Sequence, residues 1–117
     1  MDEPIPKVAA ADVERIIRRD FPPEVYETVT GILGEYGAEE GHSEIHRVRL
    51  AVLKLSAGSL EKLREATEAA RQDYRDVLAG AEYPLYSIEY GFGEQDERCQ
   101  EIIESDWRQY QEWLKRP

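Results

Sequence analysis

Two histidines and a glutamate are the residues of this sequence that come nearest to a metal site. His42 and His46 stand four residues apart, and Glu39 precedes them, so one continuous helix would place both imidazoles on a single face. However, Gly41-His42-Ser43 is typical of a linker that runs into a helix N-cap, which places His42 outside the helix. A di-iron site is incomplete because no second Glu-x-x-His segment is present. We therefore expect no bound metal or cofactor. The two histidines are interpreted as ordinary solvent-exposed residues at the start of a helix.

The candidates for nucleophilic catalysis are weaker. Cys99 is the only cysteine, and it falls on the apolar face of a predicted helix near Glu97 and Glu101, whose negative charge disfavours a thiolate. Ser43 and Ser59 stand at predicted helix starts, where N-capping accounts for them. The sequence contains no nucleophile-elbow, dinucleotide-binding or phosphate-loop motif. We therefore predict no catalytic residue and no enzymatic activity.

The distribution of acidic residues is the most informative functional feature. The 117 residues include 25 acids and 15 bases, which give a formal charge of -10. Residues 21–46 contain six acids and residues 81–97 contain five, and neither range contains a lysine or an arginine. Because nucleic acids and anionic membranes bind positively charged surfaces, we expect neither as a partner.

Aromatic residues accompany the acids of the 81–97 range. Tyrosines anchor protein interfaces and carboxylates steer a positively charged partner towards them, so this combination predicts a surface that binds a basic protein. The expected partner-binding residues are Glu82, Tyr83, Tyr86, Glu89, Tyr90, Phe92 and Glu94. The acidic second helix would extend this surface. The competing interpretation is that the aromatic side chains are buried and the acids only keep the protein soluble.

The favoured hypothesis is therefore a non-enzymatic helical interaction module that inhibits, neutralises or regulates a basic protein. A metal-binding protein or enzyme that uses His42 and His46 is the alternative. A third hypothesis is a homodimer, in which a second copy covers residues 86–92 or the face of Trp107 and Trp113.

Apolar periodicity predicts helices over most of the chain. A first helix covers Val13 to Phe21 with Asp12 as its N-cap, and a second begins at Pro23. Glycines weaken this second helix, which is expected to fray or end at Gly34, and we favour close packing of the helix on its neighbours over a functional hinge. They are Gly31, Gly34 and Gly37.

The third and fourth helices are predicted to form a tight hairpin. Ser43 caps a third helix that is apolar on nearly all sides, which is typical of a buried helix. Gly58 suits the position just past its end, and Ser59 can cap the fourth helix at once. This fourth helix is expected to run to about Leu78.

Three cations on the third helix need partners if they are buried. They are Arg47, Arg49 and Lys54. A half-buried cation must be paired, and the fourth helix offers Asp73 and Asp76 as partners. We favour structural ion pairs here over a site for an anionic ligand.

One segment, 82–93, does not follow the helical period. Its aromatic and apolar residues alternate with polar or small ones, which is the period of a β-strand. They are Tyr86, Ile88, Tyr90 and Phe92. No second strand is predicted to pair with it, so we expect an extended arm over the helices or a strand completed by another chain. A last helix begins at about Glu94.

Three segments resemble a small family of uncharacterised bacterial proteins that are predicted to be helical. The segments are DFPPE at 20–24, RVRLAVLKLSAGSLEKL at 47–63 and DYRDVLAGAEYP at 73–84. The resemblance spans roughly residues 13–86. It implies a bacterial origin and a helical architecture, and it implies no functional residue.

These patterns predict an all-α fold in a single domain, residues 1–117. The fold would be a compact bundle of about five helices, with a central helical hairpin and one extended aromatic arm between the last two helices. A chain of this length buries about two thirds of its surface on folding, enough for a core without a disulfide or metal. Residues 1–7 lack the apolar segment of a signal peptide, and a lone cysteine favours a reducing compartment, so we expect a cytoplasmic protein.

Overall fold

The computed structural model describes residues 6–38, 44–90 and 97–117. In these ranges the chain forms six α-helices and no strand. The helices are α1 (Ala10–Asp20), α2 (Tyr26–Gly34), α3 (Ile45–Ser56), α4 (Leu60–Glu82), α5 (Pro84–Tyr90) and α6 (Cys99–Lys115). The predicted all-α bundle is confirmed. Among the described residues, no helix is both long and apolar enough to cross a membrane.

The first two helices begin at different residues from those predicted. Helix α1 starts at Ala10, and Asp12 lies inside its first turn, where its carboxylate accepts the Ala9 N–H at 2.8 Å. Asp12 therefore caps the helix from within, as an acidic residue at the third helical position does in a capping box. A 3-10 turn at Pro23–Val25 leads into α2, which ends at Gly34.

The predicted hairpin of α3 and α4 is present, and its turn is the one that the sequence indicated. Ala57 and Gly58 have positive φ values of 49° and 81°, a conformation that glycine adopts without strain. The Ser59 hydroxyl then accepts the Lys62 N–H at 3.3 Å and caps α4. Ser43, the predicted cap of α3, lies outside the described residues.

Helix α4 contains a break at Asp73 and extends four residues beyond the predicted end at Leu78. Asp73 has φ -155° and ψ 99°, outside the helical region. Its carboxylate accepts the backbone N–H and the Nε–H of Arg75, both at 3.1 Å, and these hydrogen bonds lower the Asp73 pKa. Asp73 is thus the N-cap of a second helical segment that reaches Glu82, because a short acidic side chain stabilises a helix start.

The predicted extended arm is wrong where the structure describes it, because residues 84–90 form helix α5. Pro84 occupies the first helical position, where its missing N–H costs nothing. The next two N–H groups, of Leu85 and Tyr86, donate to the Asp106 carboxylate at 3.2 and 2.9 Å. The Asp106 side chain of α6 therefore caps α5. This contact stabilises a helix where the sequence pattern predicted a strand. Glu94, the predicted start of the last helix, lies outside the described residues.

The apolar faces of α1, α2, α3, α4 and α6 form one core cluster. A smaller cluster joins α5 to α6 and contains Tyr83, Cys99 and Ile103, with Tyr86 and Ile102 at its edge. The predicted close packing through the glycines is wrong for Gly31 and Gly34, whereas Gly37, just past α2, lies close to Arg49 and Ile45. A Cβ placed on Gly31 or Gly34 would have no atom within 4 Å, so both positions face open space.

Candidate interaction surface

Two of the predicted partner-binding residues lie in the interior. The Glu82 side chain is 2% exposed, and its two carboxylate oxygens accept Nε–H and Nη2–H of Arg47 at 2.8 and 2.6 Å. This bidentate pair joins α3 to the end of α4 and raises the Arg47 pKa. Tyr83 is also buried, against Cys99 and Ile103. Glu82 and Tyr83 are therefore not accessible to a partner.

Among the α5 side chains that the structure describes, the exposed ones are apolar. Ile88 is 81% exposed and Leu85 is 48% exposed. Tyr86, on the inner side of the helix, is half-buried, and its ring meets that of Tyr83 edge to face with centroids 6.5 Å apart. Leu85 and Ile88 are three residues apart on the helix and therefore share a side of it, which leaves two apolar side chains together in water.

The structure does not describe the side chains of the remaining predicted contact residues. Glu89 and Tyr90 belong to α5, but their side chains lie outside the description. Phe92 and Glu94 lie outside the described residues altogether. Of the seven predicted partner-binding residues, only Tyr86 is described and partly accessible.

Three exposed acidic residues stand near the start of α6. Helix α6 packs on α5 through Cys99 and Ile103, and Glu97, Glu101 and Glu104 in this part of the chain are all exposed, as is Arg98. We call Leu85 and Ile88 of α5, together with these three glutamates, the α5–α6 surface. It combines two exposed apolar side chains with three carboxylates.

Asp106 and Gln109 hold α5 in place. Asp106 is fully buried and caps α5 from α6, as described above. The Gln109 amide donates to the carbonyls of Ala81 and Asp106, at 3.3 and 2.9 Å, and so satisfies the end of α4. Sequence reasoning missed both residues. The available signal was the position of Asp106 on the apolar stripe of α6, three residues after Ile103 and four before Tyr110.

The cations of α3 have other partners than predicted. Arg47 pairs with Glu82, whereas Asp73 pairs with Arg75. The Arg49 guanidinium donates to the carbonyls of Leu33 and Tyr36, at 3.2 and 2.8 Å, and thereby closes the C-terminal end of α2. The expected ion pair with a carboxylate of α4 is confirmed for Arg47, although the partner is Glu82 and neither Asp73 nor Asp76, and it is wrong for Arg49.

Lys54 is the exception among these three cations. It is half-buried, and within the described ranges no acidic side chain forms an ion pair with it. Burial lowers the Lys54 pKa, and the negative charge of Asp106 only partly offsets this. The burial of this ammonium is therefore only partly compensated by the described residues, which is costly.

The residues of the metal-site alternative are not brought together by any described contact. His46 is exposed on α3, and Glu39 and His42 lie outside the described residues. In the described part of the chain, no group of three or more histidine, cysteine, aspartate or glutamate residues could hold a metal ion. Cys99 is buried.

The tryptophan face proposed for a homodimer is largely part of the bundle. Trp113 is 9% exposed. Its ring packs on Tyr110 with centroids 5.5 Å apart, and the Arg19 guanidinium stacks over it at 5.1 Å. Trp107 is half-buried. Little of this face remains for a second copy.

No protein-family model matches the chain, and neither the curated proteins nor the solved structures include one that is significantly similar to it. The resemblance of residues 20–24, 47–63 and 73–84 to a bacterial family therefore stays a prediction. What the chain does must be argued from its own residues.

Proposed function

We propose that this protein is a non-enzymatic interaction module that binds a basic protein through the α5–α6 surface. The observation that carries the proposal is the exposure of Ile88 and Leu85, 81% and 48%, together with three exposed glutamates near the start of α6, the helix that packs on α5. The apolar side chains would supply contact area, and the glutamates would select a positively charged partner and accelerate its association.

Charge favours a basic partner over a second copy of this chain. Each copy carries a formal charge of -10, so two copies that meet through acidic surfaces repel each other. A surface rich in lysine and arginine gains from the same charges. Complementarity of charge therefore supports an inhibitor or regulator of a basic protein, in the cytoplasm of its host.

The rigidity of α5 supports the same proposal. A seven-residue helix is not stable by itself in water, but α5 receives an N-cap from Asp106 and an apolar contact from Ile103. A pre-ordered helix loses less conformational entropy when it binds. Leu85 and Ile88 are thus presented on a fixed element instead of a loose segment.

The test compares three immobilised proteins in the capture of partners from the native lysate. They are the wild type, the double variant Leu85→Ser/Ile88→Ser and the control Leu55→Ser, which removes another exposed leucine, 38% exposed, from α3. All these side chains are exposed, so the variants keep the fold, and circular dichroism checks this. We expect a partner rich in lysine and arginine that the wild type and the control retain and the double variant loses.

The salt dependence of binding and light scattering distinguish a basic partner from an acidic partner and from a second copy of this chain. Binding to a basic partner should weaken as NaCl rises from 50 to 500 mM, because the attraction is screened. Retention of the same partner by the double variant, a captured partner that is acidic, or a wild-type homodimer at pH 7.5 would each count against the proposal.

A further inference from the structure

A cleft of about 630 Å³ opens where the C-terminal ends of α1, α3 and α6 meet. Small-molecule sites in proteins have volumes of roughly 300 to 1,000 Å³, so the cleft is of suitable size. The charged and aromatic side chains on its walls are Arg19, Asp20, Lys54, Glu112, Trp113 and Arg116. It shares no residue with the α5–α6 surface.

The cleft carries more positive than negative charge, in contrast to the chain as a whole. Its lining contains three cations and two acids, whereas the full sequence has a formal charge of -10. The structure already pairs Arg19 with Asp20 at 2.8 Å. The charged side chains of the lining that remain are then two cations, Lys54 and Arg116, and one carboxylate, that of Glu112.

Arg19 also forms hydrogen bonds with the backbone at the end of α6. Its guanidinium donates to the carbonyls of Trp113 and Arg116, and Arg15, one turn earlier on α1, donates to the carbonyl of Leu114. These two arginines therefore satisfy the C-terminal carbonyls of α6. This structural role removes Arg19 from the groups available to a ligand.

Lys54 has no such role. It stands in the last turn of α3, half-buried, without an ion-pair partner among the described residues. Asp106 influences it only at longer range, and both Asp106 oxygens already accept N–H groups of α5. The lowered Lys54 pKa agrees with an ammonium whose burial is not compensated. An anion in the cleft would supply the missing compensation.

We propose that this cleft binds a small carboxylic acid, with its carboxylate between Lys54 and Arg116 and its apolar part against Trp113. A singly charged carboxylate fits better than a phosphate for two reasons. Glu112 and the carbonyls at the ends of three helices limit how much negative charge the cleft tolerates. The part of Trp113 that lines the cleft is an apolar edge, since Tyr110 packs against the ring and the Arg19 guanidinium stacks over it, and the apolar part of a carboxylic acid can contact this edge.

The test is a titration of the whole chain with benzoate, followed in ¹H–¹⁵N NMR spectra. We expect saturable shifts at the amides of Lys54, Ala57, Gly58 and Trp113. The variant Lys54→Met should weaken binding about tenfold, since a charge-assisted contact is lost. Lys62→Met is the matched control: it makes the same charge change at an exposed position on α4 and should leave the affinity within about twofold.

A second readout follows the lysine itself. Bound benzoate should raise the Lys54 pKa, measured on ¹³C-labelled lysine side chains, because the carboxylate favours the charged amine. Shifts that do not saturate, equal weakening by Lys54→Met and Lys62→Met, or an unchanged Lys54 pKa at saturation would overturn the proposal. Inorganic phosphate that saturates the same amides at lower concentration than benzoate would overturn the carboxylate assignment.

Discussion

The Tyr110 hydroxyl is fully buried and forms no hydrogen bond with any described residue. Burial raises its pKa above the ordinary value of 10.0, and the negative charge of Glu82 raises it further. Below pH 10 the phenol is protonated in both the folded and the unfolded chain, so its titration does not affect stability. Above pH 10 only the unfolded chain releases this proton, and the fold therefore loses stability as pH rises.

We expect Tyr110→Phe to be at least as stable as the wild type at pH 8, with a gain of up to about 1 kcal/mol, because an unsatisfied buried hydroxyl is removed. The gain should grow above pH 10, by at most about 1.4 kcal/mol per pH unit. Urea denaturation at pH 8 and pH 11 measures both effects. Tyr74→Phe, at a half-buried position, is the control. A loss of more than about 1 kcal/mol at pH 8 would mean that the hydroxyl has a bonding partner.

Two glycines near the end of α2 have opposite requirements. Gly31 lies inside the helix, and a Cβ there would meet nothing within 4 Å. Gly37 has φ +109°, and a Cβ there would lie 2.9 Å from Nη2 of Arg49. The first position therefore tolerates a side chain, and the second does not.

Gly31→Ala should raise the free energy of unfolding by about 0.5 to 1 kcal/mol, since alanine loses less backbone entropy in a helix. Gly37→Ala should lower it, because the methyl group displaces the guanidinium that closes α2. Thermal unfolding of both variants checks the pair. Equal effects of the two substitutions would contradict the assigned geometry.

At the scale of elements, α5 depends on a residue from another helix. Asp106 accepts the N–H groups of Leu85 and Tyr86, and substitution by asparagine removes the charge and one of the two acceptor oxygens. Asp106→Asn should destabilise the protein by about 1 to 2 kcal/mol. Hydrogen exchange at residues 85–88 should accelerate more than exchange in α3.

The control for this change is Glu104→Gln, on the same helix but exposed, which should leave exchange in α5 as it is in the wild type. Protection of the α5 amides that survives in Asp106→Asn would show that α5 is held by its apolar contacts alone.

The elements that were predictable from the sequence are those with local signals. The hairpin of α3 and α4 is marked by Gly58 and Ser59, which act within a few residues of where they stand. The local signal of α5 is only Pro84 at its first position, and its cap, Asp106, lies 20 and 21 residues away in sequence from the N–H groups that donate to it. Long-range contacts of this kind outweigh local periodicity.

The exposed residues of the candidate site differ from those predicted because this long-range contact makes residues 84–90 a helix instead of a strand. On a strand, Tyr86 and Ile88 share a face, but on a helix they point about 200° apart. The helix therefore turns Tyr86 inward and leaves Ile88 as the exposed residue. Glu82 was expected beyond the end of α4, near Leu78; because α4 continues past that point, Glu82 reaches Arg47 and becomes part of the core.

At the scale of the whole molecule, we expect negative charge to protect the exposed apolar side chains of α5 from self-association. The formal charge of -10 at pH 7 falls towards zero at the sequence pI of about 4.7. Repulsion between copies disappears at that pH, while the exposed area of Leu85 and Ile88 is unchanged. Solubility and partner selection would therefore depend on the same carboxylates.

We accordingly expect a monomer in light scattering at pH 7.5 and concentration-dependent association of the wild type near pH 4.7, because only electrostatic repulsion keeps the α5–α6 surfaces of two copies apart. The variant Leu85→Ser/Ile88→Ser should associate less than the wild type at the lower pH, whereas Leu55→Ser should behave as the wild type does. Circular dichroism at both pH values separates association of the folded protein from acid unfolding. Equal association of all three proteins near pH 4.7 would assign it to general loss of charge and not to the apolar face of α5.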